Sequence, residues 1–122
     1  MFESLLWLAR TRVGRKLVGW ILATMSFAIP AKRLRETETL LAFYHPKPAY
    51  PFHLVLMPKQ AIPSLVELDP ASAFLPDLFG TVQSLVAEFQ LPAYRLIVNG
   101  GEYQDFPHLH FHLISEVSKN DD

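Results

Sequence analysis

Polar and apolar residues alternate strictly from His108 to Leu113: His108, His110 and His112 are separated by Leu109 and Phe111, and Leu113 follows. Successive side chains of a strand point to opposite faces. The period of two therefore predicts a strand with three imidazoles on one face and three apolar residues in a core. A second pattern, near 3.6 residues, runs from Phe74 or Leu75 through Gln90. Leu75, Leu78, Phe79, Val82, Leu85, Val86 and Phe89 fall on one stripe and predict an amphipathic helix packed on the domain. Asp69-Pro70 reads as a cap followed by a first-turn proline, and Leu91-Pro92 ends the helix.

Lys32 to Thr37 alternates polar and apolar residues weakly and reads as a short strand, and shorter apolar runs predict strands over Thr39 to Tyr44, Phe52 to Met57 and Tyr94 to Val98. The first two are joined as a hairpin around Glu36 to Glu38, and Asn99-Gly100-Gly101 turns the chain into the histidine strand. Ile62 to Leu68 reads as a turn or short helix. His45 to Pro51 carries three prolines, which fix the backbone and remove donors, so it is an extended loop. Hairpins and local connections favour an α+β domain, an antiparallel sheet of about five strands with a long helix on one face.

The N-terminal part follows a different pattern. Phe2 to Arg10 is largely apolar, Arg10, Arg12, Arg15 and Lys16 are basic, and Leu17 to Pro30 carries no charge. That run is about 14 residues, short of the ~20 that span a bilayer. Basic flanks with Trp7 and Trp20 suit a helix packed on the domain or on a second copy, and equally a helix lying on a membrane surface through residues 1–30. The expected division is a helical extension over 1–19 and one domain over 20–122, with a frayed polar tail from Ser118.

Composition narrows the function. A net charge of −1 over 122 residues leaves no basic footprint for nucleic acid. The absence of cysteine excludes disulfides, thiolate metal sites and a cysteine nucleophile. The histidines then carry the candidate chemistry. Three in strict alternation are a poor choice for stability alone. Imidazole is a metal ligand and also the side chain best suited to proton transfer and nucleophilic attack near neutral pH. The alternation leaves both readings open. His53, on the strand before the helix, reads by itself as a core histidine.

The stretch His108–Ile114 matches the pattern His-φ-His-φ-His-φ-φ, with φ apolar. With it come Ile29-Pro30-Ala31-Lys32, Leu41-Ala42-Phe43, the spacing of His45 and His53, Leu54 through Lys59, and Arg95 through Asn99. Over roughly residues 20–114 the sequence resembles the histidine triad (HIT) family, and the Hint-like branch in particular. The resemblance implies a HIT-like fold and a homodimer joined at sheet edges and long helices. It also implies a cytoplasmic hydrolase or transferase that cleaves at the α-phosphate of nucleoside phosphoramidates or related purine nucleotides. No cofactor and no protein-bound metal is implied.

Carried over residue by residue, His110 resembles the nucleophile that forms a nucleotidyl-histidine. The backbone carbonyl of His108 would set its tautomer, and His112 would hold phosphate oxygens and assist departure. His53 resembles a supporting histidine, Asn99 and Gln104 resemble amide donors to phosphate, and Phe43 and Tyr44 resemble base-pocket residues. Two positions depart from the pattern. Asp105 stands where the family has a small hydroxyl residue near the phosphate. His45 stands where it has an acidic residue that grips the ribose. The resemblance with these departures implies retained phosphate chemistry and an altered choice of nucleoside or leaving group.

Overall fold

The computed structural model describes residues 33–117. The extension expected over 1–19, the apolar run 17–30 and the tail 118–122 lie outside the described residues. Five strands form one sheet: β1 Arg33–Glu36, β2 Leu40–Tyr44, β3 Phe52–Pro58, β4 Arg95–Val98 and β5 Phe111–Ser115. Their spatial order is β1-β2-β3-β5-β4, and every pair is antiparallel. Among the described residues one α-helix, α1, spans Phe74–Glu88. Short 3-10 turns occupy Leu65–Glu67 and Gly101–Tyr103, the latter begun by Gly101 at a φ of 59°. The α+β class and the strand count agree with the sequence reading. Among the described residues no helix is long and apolar enough to cross a membrane.

The period of two sorts each strand between two faces. Leu40, Ala42, Leu54, Leu56, Leu109, Phe111 and Leu113 turn toward α1 and meet Phe74, Leu78, Val82 and Leu85 in one core. A smaller cluster of Leu41, Phe43 and Val55, with Met57 packed against it, lies on the opposite face. Each fully buried leucine contributes about 1.5–3 kcal/mol, so the helix-side core dominates stability.

The helix departs from expectation in two places. Asp69 does not cap it. The Asp69 Oδ1 accepts the Ala71 N–H at 2.9 Å, closing a tight turn, and the N-cap is Ala73. An Asp before Pro satisfies its carboxylate locally as readily as at a helix start. Phe79 is 53 % exposed, not core. The buried stripe runs through Phe74, Leu78, Val82 and Leu85, which puts Phe79 beyond its margin. Asp77 in the first turn has a separate task. The hydroxyls of Thr37 and Thr39 donate to its Oδ2 at 2.8 and 2.7 Å, which ties the β1–β2 turn to α1.

The helix ends in a Schellman motif, with Leu91 N–H on the Val86 carbonyl at 3.1 Å and Gln90 N–H on that of Ala87 at 3.2 Å. The geometry needs a left-handed residue, and Gln90 sits there at φ 51°. A Cβ in this region carries a cost that glycine lacks. Gln90→Gly is expected to raise unfolding stability by about 0.5–1 kcal/mol in denaturant titration. A loss of stability would contradict this account of the cap.

Candidate active site

Two neighbouring central strands build the site. In the β3–β5 register His53 faces Ile114 and Val55 faces His112, so the two histidines are diagonal neighbours on the face away from α1. Their ring nitrogens, His53 Nε2 and His112 Nδ1, lie 2.9 Å apart. The β2–β3 loop folds back over them. His45 N–H donates to the His53 carbonyl at 2.9 Å, and the His45 ring stacks on His53 with centroids 4.4 Å apart. The edge of Tyr50 meets His53 at 5.5 Å. His110 meets His112 edge-on at 5.0 Å.

β5 pairing begins only at Phe111, so His108 and His110 precede the ladder. The alternation still continues through them, because Leu109 stays in the helix-side core. The three imidazoles are not equivalent. His108 is 2 % exposed and its Nε2 bonds the Pro58 carbonyl at 3.1 Å. It is a buried strut. His110 Nδ1 bonds the His108 carbonyl at 2.7 Å.

Partner chemistry fixes the tautomers. A carbonyl only accepts, so His110 carries its proton on Nδ1 and Nε2 keeps a lone pair. The Ala49 N–H donates to His53 Nδ1 at 3.1 Å, so His53 carries its proton on Nε2 and donates to His112 Nδ1. Neutral His112 is left with an Nε2–H donor. The Lys47 N–H donates to His45 Nδ1 at 2.9 Å, which leaves His45 an Nε2–H donor as well. One lone pair is thus accompanied by two N–H donors. Proximity alone would allow a metal at His45, His53 and His112, whose ligand atoms lie within 4.8 Å of one another. Backbone N–H groups occupy the Nδ1 lone pairs of His45 and His53. Ligation through either Nε2 would move a proton onto the nitrogen that now accepts one of these bonds. This donor set fits hydrogen bonding better than a cation.

Burial disfavours charge on three of the rings, His53, His108 and His112. His112 is pushed down to about 4, by burial first, then by His110, His53 and His45, with Asp105 acting the other way. His53 is lowered by burial and then by His45. His108 is lowered by burial and by His110, while its bond to Pro58 opposes this.

The other sequence candidates separate. Asp105 reaches the site, with Oδ1 at 3.7 Å from His110 Nε2 and a side chain 88 % exposed. Gln104 was expected to offer its amide to phosphate. Its Nε2 instead donates to the carbonyls of Pro63 at 2.7 Å and Phe106 at 2.9 Å, so both N–H groups hold the loop and only the oxygen is left. Asn99 is half-buried just beyond β4, and its amide makes no hydrogen bond among the described residues. Phe43 lies on the histidine face, but Tyr44 does not share it. Strand alternation turns Tyr44 to the helix side, where it packs on the main core. Sequence reasoning missed Tyr50 and the carbonyl of Pro58. The prolines flanking Tyr50 mark a rigid loop but not what it covers.

The HIT domain family model matches residues 26–119. A 13.2 kDa HIT-like protein of Azospirillum brasilense is 36 % identical over 96 residues, covering 71 % of this chain and 76 % of its own length. The asymmetrical bis(5'-nucleosyl)-tetraphosphatase of Schizosaccharomyces pombe is 30 % identical over 105 residues, covering 78 % of this chain and 57 % of its own length. The crystal structure of a HIT family hydrolase from Legionella pneumophila superposes with a TM-score of 0.71 at 25 % identity, over 80 % of this chain and 93 % of that one. The chain belongs to the HIT domain family.

The lowered histidines have a consequence for stability. An imidazole with its folded pKa below its unfolded one binds fewer protons in the native state between the two values. The stabilisation is full above about pH 6.5, the ordinary imidazole value, and is lost as the pH falls toward the folded values, about 4 for His112. The thermal midpoint is expected to drop between pH 7 and 5, and to drop less steeply in His112→Gln. An identical slope in that variant would remove His112 from the account.

Proposed function

We propose that the chain is a nucleotide hydrolase or transferase of the Hint-like kind, acting at the α-phosphate with His110 as nucleophile. The observation that carries this is the bond from His110 Nδ1 to the His108 carbonyl, which leaves the Nε2 lone pair unbonded. That lone pair forms the N–P bond. The bond from phosphorus to the leaving group breaks, and the leaving atom keeps the electron pair and takes a proton from solvent. Water then attacks the nucleotidyl-histidine. Its oxygen stays on phosphorus, one of its protons is lost to solvent, and His110 leaves neutral. Splitting one displacement into two lowers each barrier. His112 Nε2–H and His45 Nε2–H are the donors available to phosphate or sugar oxygens, and such donors stabilise developing charge. His53 positions His112 through their shared hydrogen bond. Phe43 and His45 lie toward the nucleoside. His45 presents one donor where a carboxylate would present two acceptors, and this supports a sugar or base preference different from that of an adenosine phosphoramidase.

A second reading is nucleotide binding with little turnover, and the carboxylate of Asp105 beside Nε2 favours it. Kinetics on adenosine and guanosine phosphoramidates separate the two. Hydrolysis that falls at least a thousandfold in His110→Ala, together with loss of an acid-labile nucleotidyl adduct, is the expected result. Calorimetric binding without hydrolysis would favour the second reading, and full activity in His110→Ala would sink the first.

We also propose a homodimer. Among the described strands β4 lies at a sheet edge, and a sheet edge invites pairing. Phe79 on α1 and Tyr94 just before β4 are each 53 % exposed. Sedimentation equilibrium is expected to give twice the chain mass, shifting toward the monomer in Phe79→Glu. A monomer at micromolar concentration would exclude this. Co-sedimentation with anionic vesicles, lost on deleting residues 1–19, would place the N-terminal part on a membrane surface, and no co-sedimentation of the intact chain would remove that role.

A further inference from the structure

Asp105 stands where a phosphoryl group has to arrive. His110 is nine-tenths buried and its Nε2 makes no hydrogen bond among the described residues. Asp105 Oδ1 lies 3.7 Å from this nitrogen. An attacking nitrogen approaches phosphorus to about 3–3.5 Å, so the phosphate oxygens of a bound nucleotide come close to this carboxylate. Two like charges about 4 Å apart repel, and the more strongly as bound substrate excludes water between them. Asp105 also walls a cleft of about 470 Å³, together with Glu67, Glu102 and Gln104. None of the lining residues is basic. That cleft includes none of the histidines and meets their site at Asp105. The N–H groups of His112 and His45 can serve phosphate oxygens, but the Asp105 carboxylate opposes further negative charge beside it and favours a nucleotide that brings compensating positive charge there.

We infer that Asp105 determines leaving-group specificity: the chain prefers nucleotides whose leaving group carries a cation, such as an ammonium, near the α-phosphate. The inference rests on the reading that His110 attacks there. In-line displacement puts the leaving atom roughly 5 Å from Nε2, one bond beyond phosphorus. A charge two or three bonds further out comes within reach of Asp105, whose exposed side chain can turn toward it. The tied amide of Gln104 holds the backbone next to Asp105, so the carboxylate is kept at the rim while its oxygens remain adjustable. A leaving group ending in a carboxylate meets the opposite sign at the same place.

The test uses three adenosine 5'-phosphoramidates, N-propyl, N-(2-aminoethyl) and N-(2-carboxyethyl), at low salt with chelator. The full chain is compared with Asp105→Asn and Asp105→Ser. Differences in intrinsic reactivity cancel in the ratio of wild type to variant. The preference in kcat/KM for aminoethyl over propyl is expected to be about fivefold larger in the wild type than in Asp105→Asn, and the discrimination against carboxyethyl larger by a similar factor. Both effects shrink at 0.5 M salt, because the pair is exposed. An unchanged order and spread in both variants overturns the inference while hydrolysis itself stands. A spread that appears only when magnesium replaces chelator assigns Asp105 to a metal-bound phosphate and also overturns it. Failure of the wild type to hydrolyse any of the three overturns the His110 reading and the inference with it.

Discussion

The pairing of β5 with β3 is the contact on which the site depends. These strands are distant in sequence and central in the sheet, with α1 and β4 between them along the chain. One register sends Leu109, Phe111 and Leu113 into the helix-side core and brings His112 diagonally onto His53. A slip by one residue would reverse both results, placing leucines on the open face and imidazoles under α1. The apolar alternation that stabilises the fold is therefore the same constraint that aims the histidines.

Within that frame the site is organised by backbone groups. Carbonyls of His108 and Pro58, and N–H groups of Lys47 and Ala49, each engage one imidazole nitrogen. Main-chain donors and acceptors do not titrate, so each ring is held in one tautomer as long as the loops keep their places. Burial and mutual proximity disfavour charge on His53, His108 and His112. The backbone bonds also leave His110 Nε2 without a hydrogen-bond partner among the described residues. Such a donor set fits hydrogen bonding better than holding a cation, and it suits the proposed attack on phosphorus.

The departures from the family pattern lie at the rim of this cluster. His45 replaces an acceptor with a donor and adds a ring stacked on His53. Asp105 adds a carboxylate beside His110. Gln104 holds the loop through two carbonyls. None of these alters the His110–His108 bond. His110 Nε2 and its surroundings are thus built by separate parts of the chain, which allows the rim to change while the geometry of His110 is kept.

The sequence by itself determined the local patterns. A period of two and a period of 3.6 are written in neighbouring residues, so the five described strands, the helix over Phe74–Glu88 and the unequal faces of the histidine stretch were legible, and the triad motif brought the family with it. Some local detail was lost where two local partners compete. Asp69 closed a turn instead of capping α1, and Phe79 fell outside the stripe by a fraction of a helical turn. Only the tertiary structure decided what distant segments do to one another. It joined His53 to His112, laid His45 and Tyr50 over them, sent Tyr44 to the opposite face from Phe43, and drew the Gln104 amide onto Pro63. Those outcomes depend on strand order, register and the path of a proline-rich loop. No short-range pattern encodes them, because the energy that selects them comes from burying one whole face of the sheet.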